Sequence, residues 1–89
     1  MASVLVQIKV KEFAVWKKVF DANASNRVSH GELSTQIYRD ASDSNKISIL
    51  GKWKSIENAQ NFMHSPELKA AMENAGVEGP PHISFLSEV

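Results

Sequence analysis

The chain has 89 residues, 43% of them apolar and 22% charged, which suits one small packed core and is too apolar for a disordered segment. Ten basic and ten acidic side chains give a formal charge of zero, whereas nucleic-acid platforms and membrane-surface proteins carry a basic excess. The absence of cysteine excludes disulfides, thiolate nucleophiles, Cys-bound zinc and iron–sulfur clusters. No apolar run approaches the ~20 residues that cross a bilayer. The N-terminal MASVLVQIKV lacks the charged start and cleavage region of a signal peptide. The expectation is one cytoplasmic domain over residues 1–89 with no nucleic-acid or membrane partner. A domain of this size gains from self-association, and zero net charge removes the repulsion that would oppose it.

From Ser3 to Val10 the chain alternates, with Val4, Val6, Ile8 and Val10 on one face and Leu5, Gln7 and Lys9 on the other, the mark of a strand. The period changes at Glu12: Phe13, Trp16, Phe20 and Ala24 fall on one side of a helix predicted to run to about Val28 and to close at Gly31. A second strand alternates from Thr35 to Asp40. The polar turn Ala41 to Asn45 leads into a third, with Ile47, Ile49, Gly51 and Trp53 on one face and Ser48, Leu50 and Lys52 on the other. So short a connection predicts an antiparallel hairpin.

Ser55 is a good N-cap for a helix bearing Ile56, Ala59, Phe62 and Met63. Ser65-Pro66-Glu67 restarts it, because Pro66 in the first turn has no N–H to leave unpaired. Leu68, Ala71, Met72 and Ala75 continue the apolar stripe to Gly76. Gly79-Pro80-Pro81 is predicted as a stiff loop before a last strand, with Ile83, Phe85 and Val89 against His82, Ser84, Leu86 and Glu88. The order βαββαβ predicts an α+β, ferredoxin-like sandwich: a four-stranded antiparallel sheet with the helices on one face.

The other sheet face would carry Leu5, Gln7, Tyr38, Leu50, Lys52 and Leu86, with Ser48 and Ser84 between them. It is too apolar for a solvent face and too polar for a core, so a second copy packed on it, giving a homodimer, is the expectation.

The segments RVSHG, QIYRD, ILGKW, AQNFMHSPELKAAM and AGVEGPPHISFL together resemble the dimeric α/β-barrel proteins of the antibiotic-biosynthesis-monooxygenase type. That resemblance implies two ferredoxin-like subunits packed sheet to sheet, each with a pocket between its sheet and helices. It implies activities such as cofactor-independent oxygenation of polycyclic phenols, haem degradation, isomerisation or decarboxylation. In the haem-degrading branch a Trp stands where this chain has Phe62 and the haem-ligating His where it has Met72, which speaks against haem here.

No metal motif links His30, His64 and His82, and no P-loop, dinucleotide glycine pattern or nucleophile elbow is present, so no metal or cofactor is expected. An oxygenase that uses its substrate as the reductant needs a base for the substrate's proton and donors for the resulting anion. His30, just past the first helix, is the candidate base at the pocket mouth; as the bland alternative it is an exposed loop residue. Arg27, at the edge of the buried stripe, either holds an anionic substrate group or pairs with a carboxylate such as Glu32. The pocket walls are expected from Trp16, Phe20, Trp53, Phe62, Met72 and Phe85; Trp53 either packs in the core or offers its indole N–H as a donor to substrate. Two functions follow: a small enzyme acting on a hydrophobic aromatic or enolic compound, or a non-catalytic binding or stress-related protein of the same fold.

Overall fold

A computed structural model describes residues 2–89. The alternation of the first segment becomes strand β1 (Ala2–Val10), whose inward set Val4, Val6, Ile8 and Val10 is buried throughout. It is followed by α1 (Phe13–Ala22), α2 (Ala24–Ser29), β2 (Glu32–Arg39), β3 (Lys46–Trp53), α3 (Ile56–Met63), α4 (Pro66–Asn74) and β4 (Val77–Ser87). The strands form one antiparallel sheet in the order β2-β3-β1-β4, the ferredoxin-like arrangement, with β1 and β3 central. Trp16 of α1, Ala59 and Phe62 of α3 and Leu68 of α4 pack with the inward strand residues into one core. Burying that shared apolar face is what holds helices of six to ten residues, marginal by themselves, in place. Ser55 and Ser65 cap α3 and α4, accepting from the backbone N–H of Asn58 and Leu68.

Three boundaries differ from the sequence expectation. The first helix is two, because the chain leaves helical geometry at Asn23, where φ is −93° and ψ 7°. Strand β4 starts at Val77 and absorbs the Gly79-Pro80-Pro81 segment expected to be a loop. It can do so on an edge strand that bulges here: residues 79–81 have no partner on β1, so the missing N–H groups leave no ladder bond unmade. Gly79, at φ 71°, and a register shift between Gln7 and Lys9 take up the extra residues.

The third difference shapes the site. Strand β2 starts at Glu32 and not at Thr35; Glu32 pairs with Trp53 and Ser34 with Lys52, so Leu33 is an extra residue with no counterpart on β3. Residues three apart on a regular strand point to opposite faces; this bulge turns both Glu32 and Thr35 toward the helices.

On the sheet face away from the helices, the register aligns Tyr38 with Ser48, Leu50 with Leu5, and Ser3 with both Lys52 and Leu86. Tyr38 and Leu86 remain 52% and 41% exposed.

Candidate functional site

Between the helices and the inward sheet face lies a cavity of about 80 Å³. Its walls are largely apolar: Val4, Val6, Ile8 and Ile49 from the sheet, Trp16 and Phe20 from α1, Phe62 from α3, and Met72 from α4. Trp16 and Phe20 stack with ring centroids 4.9 Å apart, and Trp53 packs on Phe62 at 5.3 Å. Met63, Leu68 and Met72 line this cavity and also an outer groove that continues past His64, Pro66, Pro81 and Ile83. These three side chains are the partition between the interior and the surface.

The polar lining is confined to Asn23, Arg27, Glu32 and the Trp53 indole. Arg27, 7% exposed, is fixed by three partners. Its Nε–H donates to Glu32 Oε1 at 3.1 Å, its Nη1–H to the Phe20 carbonyl at 2.6 Å, and its guanidinium lies 3.7 Å over the Phe20 ring. The Phe20 carbonyl sits in the last turn of α1, so this bond also satisfies a helix end. The side chains of the ion pair are 8% and 7% exposed, which leaves each dependent on the other. Burial pushes the Glu32 carboxyl above its ordinary value, while the hydrogen bond from Arg27 and its positive charge pull the other way.

Glu32 Oε2 forms no hydrogen bond among the described residues, and neither does Trp53 Nε1. The two atoms meet over Gly51: a Cβ added there would stand 2.9 Å from Trp53 Nε1 and 3.3 Å from Glu32 Oε2. Thr35, directly across from Gly51 in the β2–β3 register, has a buried Oγ1 without a partner.

Of the candidates taken from the sequence, Arg27, Trp16, Phe20, Trp53, Phe62 and Met72 come together around this cavity. His30 and Phe85 are not brought into this lining. The His30 ring is not in the lining: its Nδ1–H donates to the Asn26 carbonyl at 2.8 Å and its edge packs on Phe62 at 5.3 Å, turning it back onto its own helix. Phe85 faces inward opposite Val4, but on the edge strand it lies outside the lining and is 37% exposed.

Residues 1–74 match the family model for antibiotic biosynthesis monooxygenase. The chain belongs to that family. Among solved structures, an antibiotic-biosynthesis-monooxygenase-type protein of Bordetella bronchiseptica superposes with a TM-score of 0.83 at 13% identity, over 99% of this chain and 96% of its own. One of the same type from Caulobacter crescentus gives 0.79 at 23% identity, covering 99% and 89%. SnoaB, a cofactor-independent oxygenase from Streptomyces nogalater, gives 0.80 at 11% identity, covering 99% and 92%. At these identities the likeness is one of fold. Among curated proteins none matches.

Glu32 and Gly51 are the parts of this family member's cavity that sequence reasoning missed. Glu32 entered only as a partner for Arg27, since strict alternation counted back from Thr35 places it on the wrong face. The bulge has no composition signal. Gly51 acts by lacking a side chain, which a strand pattern registers as nothing.

Proposed function

We propose that the chain is a small enzyme of the cofactor-independent oxygenase kind, acting on an aromatic or enolic compound held between helices and sheet. The carrying observation is the cavity itself, apolar on nearly every side and ended by one buried Arg27–Glu32 pair. Membership of the monooxygenase family and the shared fold with SnoaB support the reading. In such a reaction a substrate CH₂ adjoining a phenol or enol loses a proton, and the resulting anion is the electron donor for O₂. One oxygen atom then enters the product as a carbonyl and the other leaves as water, so that two hydrogens and four electrons are accounted for. Arg27 is the group suited to hold the anion, as a delocalised cation already desolvated, with Nη2 left over from its bonds to Glu32 and Phe20.

Size sets a limit. A dry cavity of about 150 Å³ holds benzene, and this one is about half that. A single-ring ligand therefore requires the Met63, Leu68 and Met72 partition to give way, which flexible thioether side chains do at low cost. The open sheet face supports a homodimer as the working form, with Leu5 and Leu50 at its centre and Tyr38 and Leu86 on its two edge strands.

The test is ligand-observed and protein-observed NMR with single-ring phenols, followed by oxygen uptake with those that bind. Binding is expected to shift the Met63 and Met72 methyl signals, and uptake to incorporate one atom of labelled O₂ per product. Ligand binding with no oxygen consumed across the panel would favour the non-catalytic reading of the fold. No shift at either methionine would reject the cavity as the site.

A further inference from the structure

A reaction that begins by taking a proton from carbon needs a base, and the cavity wall holds one candidate. Among the described residues that line it, only Arg27 and Glu32 are ionisable, and an arginine stays protonated at any working pH. The Asn23 amide and the Trp53 indole are not bases. His30 is outside the lining with its Nδ1–H on the Asn26 carbonyl, and His64 lines only the outer groove, beyond the Met63, Leu68 and Met72 partition. Glu32 has a carboxylate oxygen to spare. Its Oε1 accepts from Arg27 Nε–H at 3.1 Å, whereas Oε2 has no hydrogen-bond partner among the described residues. Oε2 lies beside Gly51, and both residues line the cavity.

We propose that Glu32 is the general base of the reaction, its carboxylate taking the proton from the substrate carbon while Arg27 holds the anion that forms. This rests on the oxygenase reading and adds the residue that starts it. The C–H bond breaks, its electron pair stays on the substrate, and the proton goes to Glu32. Molecular oxygen then adds at that carbon, and protonated Glu32 returns the proton to the peroxide. Glu32 next takes the second hydrogen of the same carbon as the O–O bond breaks; the carbonyl forms, hydroxide leaves, and the proton joins it as water. The carboxylate ends as it began. Two observations support the assignment. The bulge at Leu33 turns Glu32 to the inward face, and bulges commonly re-aim a side chain beside an active site. Burial raises the proton affinity of the carboxyl against the pull of Arg27, which makes the carboxylate a stronger base.

The probe is phenylacetone, whose CH₂ stands between one ring and a carbonyl, in D₂O without oxygen, so that NMR reads proton removal alone as loss of the CH₂ signal. The unaltered protein is expected to accelerate this exchange over buffer. The rate should fall at low pH along a limb centred above 4.5; Arg27, the other ionisable group in the described lining, keeps its charge throughout. In Glu32→Gln the amide oxygen still accepts from Arg27 but no base remains. Exchange is then expected to fall about a hundredfold or more, with phenylacetone affinity, read from the Met63 and Met72 methyl signals, little changed. Glu32→Asp, a carboxylate one carbon shorter, is expected to keep part of the rate. Urea unfolding of each variant establishes that it is folded. Exchange as fast in folded Glu32→Gln, or no faster than buffer with phenylacetone bound to the unaltered protein, overturns the base and leaves the cavity reading intact. Exchange that depends on Glu32, with no oxygen consumed once air is admitted, upholds the base and counts against the oxygenase. Phenylacetone that shifts neither methionine overturns both together.

Discussion

Replacing Arg27 by Met removes one partner of a buried ion pair and keeps most of the side-chain volume. Glu32, 7% exposed, is then left as a buried charge with no compensation, a situation that costs about 3–5 kcal/mol. Part of the loss is independent of Glu32: the cation over Phe20 at 3.7 Å contributes about 0.5–2 kcal/mol, and the Phe20 carbonyl loses the shorter of its two bonds, keeping the one from the Asn23 N–H. For 89 residues the whole stability is of the order of 4–13 kcal/mol, so this single change takes a large share. With a urea slope of about 2 kcal/mol per molar, the unfolding midpoint followed by circular dichroism should fall by roughly 2 M. The protomer concentration must be held fixed, since association would contribute to the midpoint. Two controls make the cause specific. Lowering the pH from 8 to 5 should recover part of the loss, because Glu32 without Arg27 takes up a proton more readily and sheds its buried charge. The double variant Arg27→Met/Glu32→Leu should be more stable than Arg27→Met alone, within about 2 kcal/mol of the unaltered protein. A loss that is equal at both pH values, or a double variant no better than the single, would refute the argument that the pair is what holds this end of the cavity.

Glu32→Gln tests the sign of the pH dependence directly. A carboxyl raised in the folded state binds its proton more tightly there than in the unfolded chain, so its contribution to stability grows as pH falls through the folded value toward 4.5 and then levels. The stability difference between unaltered protein and Glu32→Gln, followed by urea unfolding from pH 8 to 4.5, should therefore move in favour of the unaltered protein; the opposite slope would contradict the burial effect. Phe62→Ala deletes a ring 2% exposed and should cost about 3–5 kcal/mol while enlarging the cavity, so that benzene raises its melting temperature by more than it raises that of the unaltered protein. Ser55→Ala, which loses the bond from the Asn58 N–H at 3.0 Å, should cost about 1 kcal/mol by thermal melting. Leu86→Asp, on the open sheet face, should sediment as a monomer with unchanged circular dichroism; a persisting dimer would move the interface elsewhere.

What was legible in the sequence is what periodicity carries. Val4, Val6, Ile8 and Val10 announce one face of β1, and the alternation of the strands puts Leu5, Tyr38 and Leu50 together on the other, while the register that pairs them is seen only in the structure. The cavity walls were legible for the same reason, because Trp16, Phe20 and Phe62 sit on apolar stripes and a stripe has to face the sheet. The polar end was not. It depends on a bulge that shifts register by one residue, on the absence of a side chain at Gly51, and on Arg27 reaching back along the chain to Phe20. His30 had the chemistry of a base in the right stretch of chain, but the nearby Asn26 carbonyl captures its ring. Chemistry can be read from residue type; aim cannot. Gly79-Pro80-Pro81 carries a loop's composition, and only its place at the sheet edge explains why it remains a strand.

The bare position at Gly51 also has a mechanical consequence. Its chain neighbours Leu50 and Lys52 project from the opposite sheet face, so at this point a single peptide layer divides the cavity from the surface on which a second copy would rest. Pressure on either side of so thin a wall is felt on the other. Linkage makes the relation reciprocal: whatever factor by which pairing of the sheets changes the grip on a ligand, the ligand changes the pairing by the same factor.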